Sequence, residues 1–170
     1  MDAYSGPAWS DVALAHVGAS AALLGLVFVG LSINLRAVIS APHLVNRAAE
    51  AVVLLGAVLA TSTAVLLPGQ GRSALGCELV VLGAAVLAGV AALQRGIRGT
   101  AASAAKSSSP RTTVVLRRVF GLGAPALVIA AGLSLLVESG GGLYLWPAAI
   151  VLAYLGALGG AWVLMVEILR

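Results

Sequence analysis

Residues 12–35 read VALAHVGASAALLGLVFVGLSINL, an apolar stretch without a single Asp, Glu, Lys or Arg. At a rise of about 1.5 Å per residue, a helix of this length crosses the roughly 30 Å hydrocarbon core of a bilayer. Four further stretches have a similar character. The chain of 170 residues is 61% hydrophobic and 9% charged, with a mean hydropathy of +1.07, which excludes a water-soluble domain.

The sequence predicts five membrane-spanning helices separated by segments rich in turn formers. Helices are expected rather than a barrel, because no stretch alternates polar and apolar residues and lipid offers the backbone no hydrogen-bond partner. The predicted fold is all-α, a single integral membrane bundle over residues 1–170 with a cytoplasmic loop at 96–110. The helices are predicted at about 10–36, 43–67, 73–95, 111–137 and 143–169.

Positive charge predicts the orientation of the bundle. If the chain crosses five times, nine of its ten Lys and Arg residues fall on one side and only Arg72 on the other. Short positive loops stay in the cytoplasm, so we expect the N-terminus outside and the C-terminus in the cytoplasm of a cell (plasma) membrane. The first helix is expected to remain attached, since its leader lacks the basic residue of a secretory signal. The nine are Arg36, Arg47, Arg95, Arg98, Lys106, Arg111, Arg117, Arg118 and Arg170.

The same charges set the expected partners. Although the net charge is +4, the basic residues follow the predicted cytoplasmic rim without interleaved aromatic residues, so nucleic acid is not expected. The lipid bilayer is the expected partner. Anionic headgroups are a further candidate along the loop from Arg95 to Arg118, where each cation contributes about 1 kcal/mol. The alternative is that these charges serve topology alone.

No cofactor, metal site or catalytic residue is predicted. Cys77 is the single cysteine, and His16 and His43 are predicted on opposite sides of the membrane. Neither Glu50 nor Glu78 has a second carboxylate close by in the sequence, and no nucleophile triad or metal motif is present. An enzymatic activity is therefore left open but not favoured.

Polar residues inside the spans are the functional candidates, because an ionisable side chain in hydrocarbon needs a partner or water. Near the predicted outer boundary, similar depths suggest a contact between His16 and Glu78. Near the cytoplasmic boundary, Glu50 is expected to pair with one of several arginines, those at 36, 47 and 117. The alternative is an ion-pair belt that only sets helix depth. The candidates are His16, Ser32, Asn34, Arg47, Glu50, Thr61, Ser62 and Glu78.

Small residues predict where helices approach closely. They recur at intervals of three or four in the first and fifth predicted helices. If one such stripe serves the subunit's own core, another is left for a second copy, so a homo-oligomer is expected. The packing candidates are Gly18, Ala22, Gly25, Gly156 and Gly160.

Proline and aromatic residues add two local predictions. Pro125 removes a helical hydrogen bond inside the fourth span, so a kink is expected there. Four aromatic residues fall close to the predicted outer boundary, where amphipathic rings favour the interface. They are Tyr4, Trp9, Tyr144 and Trp146.

The segments GLVFVGLSINL at 25–35 and NRAAE at 46–50 resemble a group of uncharacterised small multi-pass membrane proteins of high-GC actinobacteria. The resemblance covers mainly the first three helices. It implies an all-helical membrane fold and draws attention to four residues at one membrane face, as a structural polar cluster or the inner mouth of a pore. These are Ser32, Asn34, Arg47 and Glu50.

Three functional classes remain open from the sequence. The first is a homo-oligomeric channel or channel-like protein, in which an apolar midplane between polar ends acts as a gate. The second is a membrane scaffold or regulatory subunit that works through protein contacts. The third is a small membrane enzyme acting on a lipid-like substrate, with Glu50 or Glu78 as acid or base.

Overall fold

The computed structural model describes residues 3–40, 42–103 and 111–168, and the side chains within 3–40, 44–95 and 115–166. Every regular element in these ranges is helical. Two short 3₁₀ turns, Gly6–Trp9 and Gly142–Tyr144, precede the first and last long helices. The α-helices are α1 Ser10–Ile33, α2 Leu35–Ile39, α3 Pro42–Val65, α4 Arg72–Ser103, α5 Arg111–Val137 and α6 Leu145–Ile168.

The predicted all-α fold with five membrane-spanning helices is confirmed. Five helical segments in the described part of the chain are long and apolar enough to cross a bilayer. They are Gly6–Ile33, Leu44–Val65, Arg72–Arg95, Val115–Val137 and Gly142–Val166. We call the membrane side where α1 and α6 begin the N-terminal face, and the side where they end the C-terminal face.

Helix boundaries differ from the prediction at two places on the C-terminal face. Helix α1 ends at Ile33, because Asn34 leaves helical geometry, and the short α2 follows. The Gly30 carbonyl accepts two hydrogen bonds from Asn34 at this helix end, one from its backbone N–H at 3.3 Å and one from its side-chain amide at 3.0 Å. Helix α4 continues to Ser103, into the stretch 96–110 predicted as a loop; residues 104–110 lie outside the described ranges.

Four of the long helices close into a ring. Helix α3 packs on α4, α4 on α5, α5 on α6, and α6 returns to α3. Their shared core is filled by large apolar side chains such as Leu54, Leu79, Leu135 and Ile150, all at most 2% exposed. Most of the buried core of the described residues therefore lies within the α3 to α6 ring.

Helix α1 lies outside that ring and packs on α3. In its most apolar window only 11% of residues are buried inside the protein, against 56% for the α3 segment. Most of the α1 surface is therefore left uncovered by the rest of the described chain. A second, smaller core near the C-terminal face fixes its end, where Leu31 packs against Val38, Leu44 and Leu164.

Close approach between α4 and α5 depends on glycines. A Cβ added at Gly132 would lie 2.7 Å from the Gly76 carbonyl oxygen, and one at Gly83 would lie 2.8 Å from Ile129 Cγ1. Atoms at these separations would clash. The glycines therefore let the two helices pack backbone against backbone.

The N-terminal segment is fixed to the turn before α6. The Leu143 amide donates to the Ala3 carbonyl at 2.8 Å, and the Trp9 and Tyr144 rings meet edge to face at 4.9 Å. Trp9 and Trp146 are buried within the protein, at 5% and 0% exposure. Contrary to the prediction, their rings therefore do not anchor the protein at the lipid interface. They fill space between helix ends instead, while Tyr144 remains exposed.

Candidate functional site

A buried carboxylate joins three helices near the C-terminal face. Glu50 of α3 is 6% exposed. Arg117 of α5 donates from Nε to Glu50 Oε2 at 2.6 Å and from Nη2 to the same oxygen, and Gln94 of α4 donates from Nε2 to Oε1 at 2.7 Å. Both carboxylate oxygens are thus hydrogen-bonded, which is what burial of this group requires. We call these three residues the inner cluster.

Gly121 provides the space for the inner cluster. A Cβ at this position would lie 2.5 Å from Glu50 Oε1 and 2.7 Å from Gln94 Nε2. Only glycine leaves the carboxylate and the amide room to meet beside α5. The need for glycine here is therefore steric and not a matter of backbone conformation.

The sequence anticipated the inner cluster in part. Arg117 was one of three arginines expected near Glu50, and the structure selects it. Gln94 lies 44 residues from Glu50 in the chain, and no spacing rule connects the two. Only the packing of α3 against α4 reveals that contact.

A cavity of about 190 Å³ adjoins the inner cluster, between α3, α5 and α6. It has room for several waters or a small polar group. Arg47, Glu50 and Arg117 give it a polar side, and the remaining wall is apolar or glycine. That remaining wall consists of Ala51, Leu116, Phe120, Leu155, Gly156, Gly159, Gly160 and Val163.

Two other candidates of this face do not join the inner cluster. Ser32 donates to the Phe28 carbonyl at 2.8 Å and Asn34 to that of Gly30, so both bond within α1. The side chain of His43 lies outside the described residues.

On the N-terminal half, His16 meets aromatic residues of α6. Its Nδ1 is 3.4 Å from the Tyr154 hydroxyl, and its ring stands edge to face with Trp146 at 6.0 Å. The Trp146 indole N–H donates to Thr61 Oγ1 at 3.3 Å, and Thr61 donates to the Ala57 carbonyl at 2.8 Å. This polar contact crosses α1, α3 and α6 and was not predicted.

The expected contact between His16 and Glu78 is not formed. Glu78 lies on the other side of α3, in an open groove of about 720 Å³ between α3 and α4. Its carboxylate makes no hydrogen bond or ion pair with the described residues, and Arg72, at the start of the same helix, pairs instead with Glu138 at 2.5 Å. Cys77 and Thr63 line the same groove, and the Thr63 hydroxyl donates to the Leu59 carbonyl.

The remaining polar candidate, Ser62, is fully buried, and its hydroxyl has no hydrogen-bond partner among the described residues. In contrast, Ser134, which the sequence did not single out, caps the turn after α5. It donates to the Ser139 carbonyl and accepts from the Gly142 amide at 2.7 Å. This turn needs glycine at positive φ, as at Gly141 with φ 102°.

The small-residue candidates fall into two environments. Gly156 packs inward, where a Cβ would lie 3.1 Å from Leu54 Cδ1, and Gly160 lies near Arg47. On α1 the surroundings are open, since a Cβ at Gly18 or Gly25 would meet nothing within 4 Å and Ala22 is exposed.

The interior of the ring is closely packed at mid-membrane. A cavity there of about 20 Å³ is lined by Thr61 and by apolar residues that include Pro125. A space of this size holds about one water. The α5 helix continues through Pro125.

Comparison of the chain with protein-family models, with curated proteins and with solved structures found no match. Within the described ranges, no three His, Cys, Asp or Glu side chains come together as metal ligands. The fold and composition define the chain as a small, multi-pass integral membrane protein.

Proposed function

We propose that the protein is a homo-oligomer of channel type, in which the path lies between copies and not within one. The observation that carries this proposal is the outward face of α1. Ala15, Gly18, Ala22 and Gly25 are all exposed along it. A second helix can approach the α1 backbone closely along this face, because no other part of the described chain covers these positions.

The spacing of this face supports helix pairing along its whole length. Exposed residues at 15, 18, 22, 25, 29 and 32 alternate steps of three and four, which is the 3.5-residue period of a left-handed helix pair. Small residues dominate its centre. We call this set of six positions the α1 seam.

The polarity of the exposed α1 surface on and beside the seam also fits a gated path. Exposed Asp11 lies at the N-terminal end and exposed Ser32 at the other, with no polar side chain at the exposed positions between them. In a ring of copies, such a distribution produces polar mouths and an apolar constriction that closes by dewetting. The close packing inside the subunit supports the same placement, because the cavity at mid-membrane has a volume of only about 20 Å³.

Cysteine cross-linking in liposomes tests the assembly. In a Cys77→Ser background, we expect Ala22→Cys to form disulfide-linked dimers and Ala84→Cys to form none. Both alanines are exposed and lie twelve residues beyond the first residue of their helices, so they are matched in depth. Equal cross-linking of the two variants would contradict the proposal that the α1 seam is the interface between copies.

Ion flux from the same liposomes tests conduction. We expect cation flux through wild-type oligomers, reduced by Asp11→Asn, which removes the proposed ring of negative charge at one mouth. No flux from folded, cross-linked oligomers over a range of voltage and pH would contradict the channel. The α1 seam then supports the alternative, a scaffold or regulatory subunit, for which pull-down is expected to recover one stoichiometric partner.

We keep anionic lipid as a proposed partner at the C-terminal face. Support comes from Arg95 and Arg118, whose side chains are exposed at this face at the two ends of the stretch from Arg95 to Arg118. Retention of phosphatidylglycerol over phosphatidylcholine by the purified protein, weakened by Arg95→Gln combined with Arg118→Gln, is the expected result. Equal retention in wild type and variant would contradict this site.

A further inference from the structure

We propose that the groove between α3 and α4 binds a membrane lipid with a primary ammonium headgroup. The ammonium group pairs with the Glu78 carboxylate, and one acyl chain lies along the small residues of α3. This site is independent of the α1 seam and of the proposed channel.

The length of the groove is close to the thickness of the hydrocarbon layer of one leaflet. It extends from Leu67 and Thr63 down α3 to Gly56, and its volume is about 720 Å³. From Gly56 to the end of α3 at Val65 there are ten residues, and the nine steps between them correspond to about 14 Å along the axis, close to half of a hydrocarbon core. Gly56, Ala60 and Ala64 leave room for a chain against the backbone.

The carboxylate lies near the headgroup end of this groove. Glu78 is six residues after Arg72, about 9 Å along α4 from its first residue. It has no cation among the described residues, because Arg72 is held by Glu138. A carboxylate at this depth is costly without a compensating charge. The head of the occupant is therefore expected to contain a positively charged group.

The groove lining selects the type of cation. Quaternary ammonium groups are recognised by aromatic faces, and the groove has no aromatic residue. A primary ammonium group has three N–H donors, which suit a carboxylate and the acceptor lone pair left on the Thr63 hydroxyl. The remaining lining is aliphatic and suits a saturated or singly unsaturated chain. Phosphatidylethanolamine has both features.

Native mass spectrometry of lipids retained by the purified protein tests the assignment. The protein is exchanged into an equimolar mixture of phosphatidylethanolamine, phosphatidylcholine and phosphatidylglycerol. We expect phosphatidylethanolamine to be retained about fivefold over phosphatidylcholine, as for one modest ion pair. Glu78→Gln is expected to abolish this preference. Asp11→Asn, which removes an exposed carboxylate of the same membrane face on α1 and outside the groove, is expected to preserve it.

A second variant tests the contribution of the groove separately from that of the Glu78 charge. Gly56 lines the groove and has nothing within 4 Å of an added Cβ, so Gly56→Leu is expected to extend its side chain into the groove while Glu78 remains. We expect it to lose the phosphatidylethanolamine preference as well. A preference that survives either Glu78→Gln or Gly56→Leu would overturn the proposal.

Cys77 provides a measurement on the unmodified protein. This thiol lines the same groove and is exposed. We expect N-ethylmaleimide to label it several-fold more slowly in phosphatidylethanolamine nanodiscs than in phosphatidylcholine nanodiscs. Both lipids are zwitterionic and the reagent is neutral, so surface charge does not differ. Equal labelling rates would count against an occupied groove.

Discussion

At the scale of single residues, the burial of Glu50 has the largest energetic consequence. Its side chain is 8% exposed and depends on Arg117 for charge compensation, with the Arg117 side chain 20% exposed. Burying a paired charge is close to neutral overall, whereas removing one partner leaves the other uncompensated. The inner cluster therefore makes the relative positions of α3, α4 and α5 sensitive to one substitution.

Arg117→Met is expected to lower the free energy of unfolding by about 3 kcal/mol, because Glu50 stays buried without its cation. The double variant Glu50→Leu with Arg117→Met is expected to recover most of this loss. Unfolding in mixed micelles, followed by helical circular dichroism, measures both. Arg118→Met, at the exposed neighbouring position, is the control and is expected to leave stability unchanged.

Removing the hydroxyls of the adjacent residues Thr61 and Ser62 is expected to affect stability differently. Thr61→Val removes the acceptor of the buried Trp146 indole N–H and is expected to lower stability by about 1 kcal/mol. Ser62→Ala removes a buried hydroxyl without a described partner and is expected to preserve or raise stability. The same unfolding measurement compares them. A larger loss for Ser62→Ala would show that its hydroxyl has a partner.

At the scale of helices, α4 and α5 depend on close backbone contact. Gly132→Ala places a methyl group 2.7 Å from the Gly76 carbonyl oxygen, so the helices must separate. We expect a loss of about 2 kcal/mol, in the range for an overpacked core. Gly89→Ala is the control in α4, since its Cβ meets nothing within 4 Å and alanine favours the helix. Equal effects of the two substitutions in unfolding experiments would contradict this packing.

At the scale of the whole molecule, the orientation in the membrane remains a prediction from charge. In a Cys77→Ser background, Lys106→Cys is expected to react with a membrane-impermeant thiol reagent only after the cells are opened. Ser139→Cys, in the turn before α6, is expected to react in intact cells. Reaction of the cysteine at position 106 in intact cells would show that the orientation is the opposite of the predicted one, with the C-terminal face outside.

Hydropathy and length determined the number of spans, because lipid requires each crossing to be a long apolar helix whatever its neighbours are. The sequence also indicated that Glu50 needed a partner, and Arg117 was one of those proposed. The sequence did not predict which side of each helix packs against another helix, because helices that are apolar all round carry no periodic signal of burial.

Only the tertiary structure decided which polar groups meet. It placed His16 beside Tyr154 and not beside Glu78, brought Gln94 to Glu50, and moved Trp146 from the expected lipid boundary into the core. These contacts join residues far apart in the chain, and they depend on how α1 and the α3 to α6 ring pack. The sequence by itself determined that the chain crosses the membrane five times; the close packing permitted by its glycines decided which side chains face each other and which face lipid.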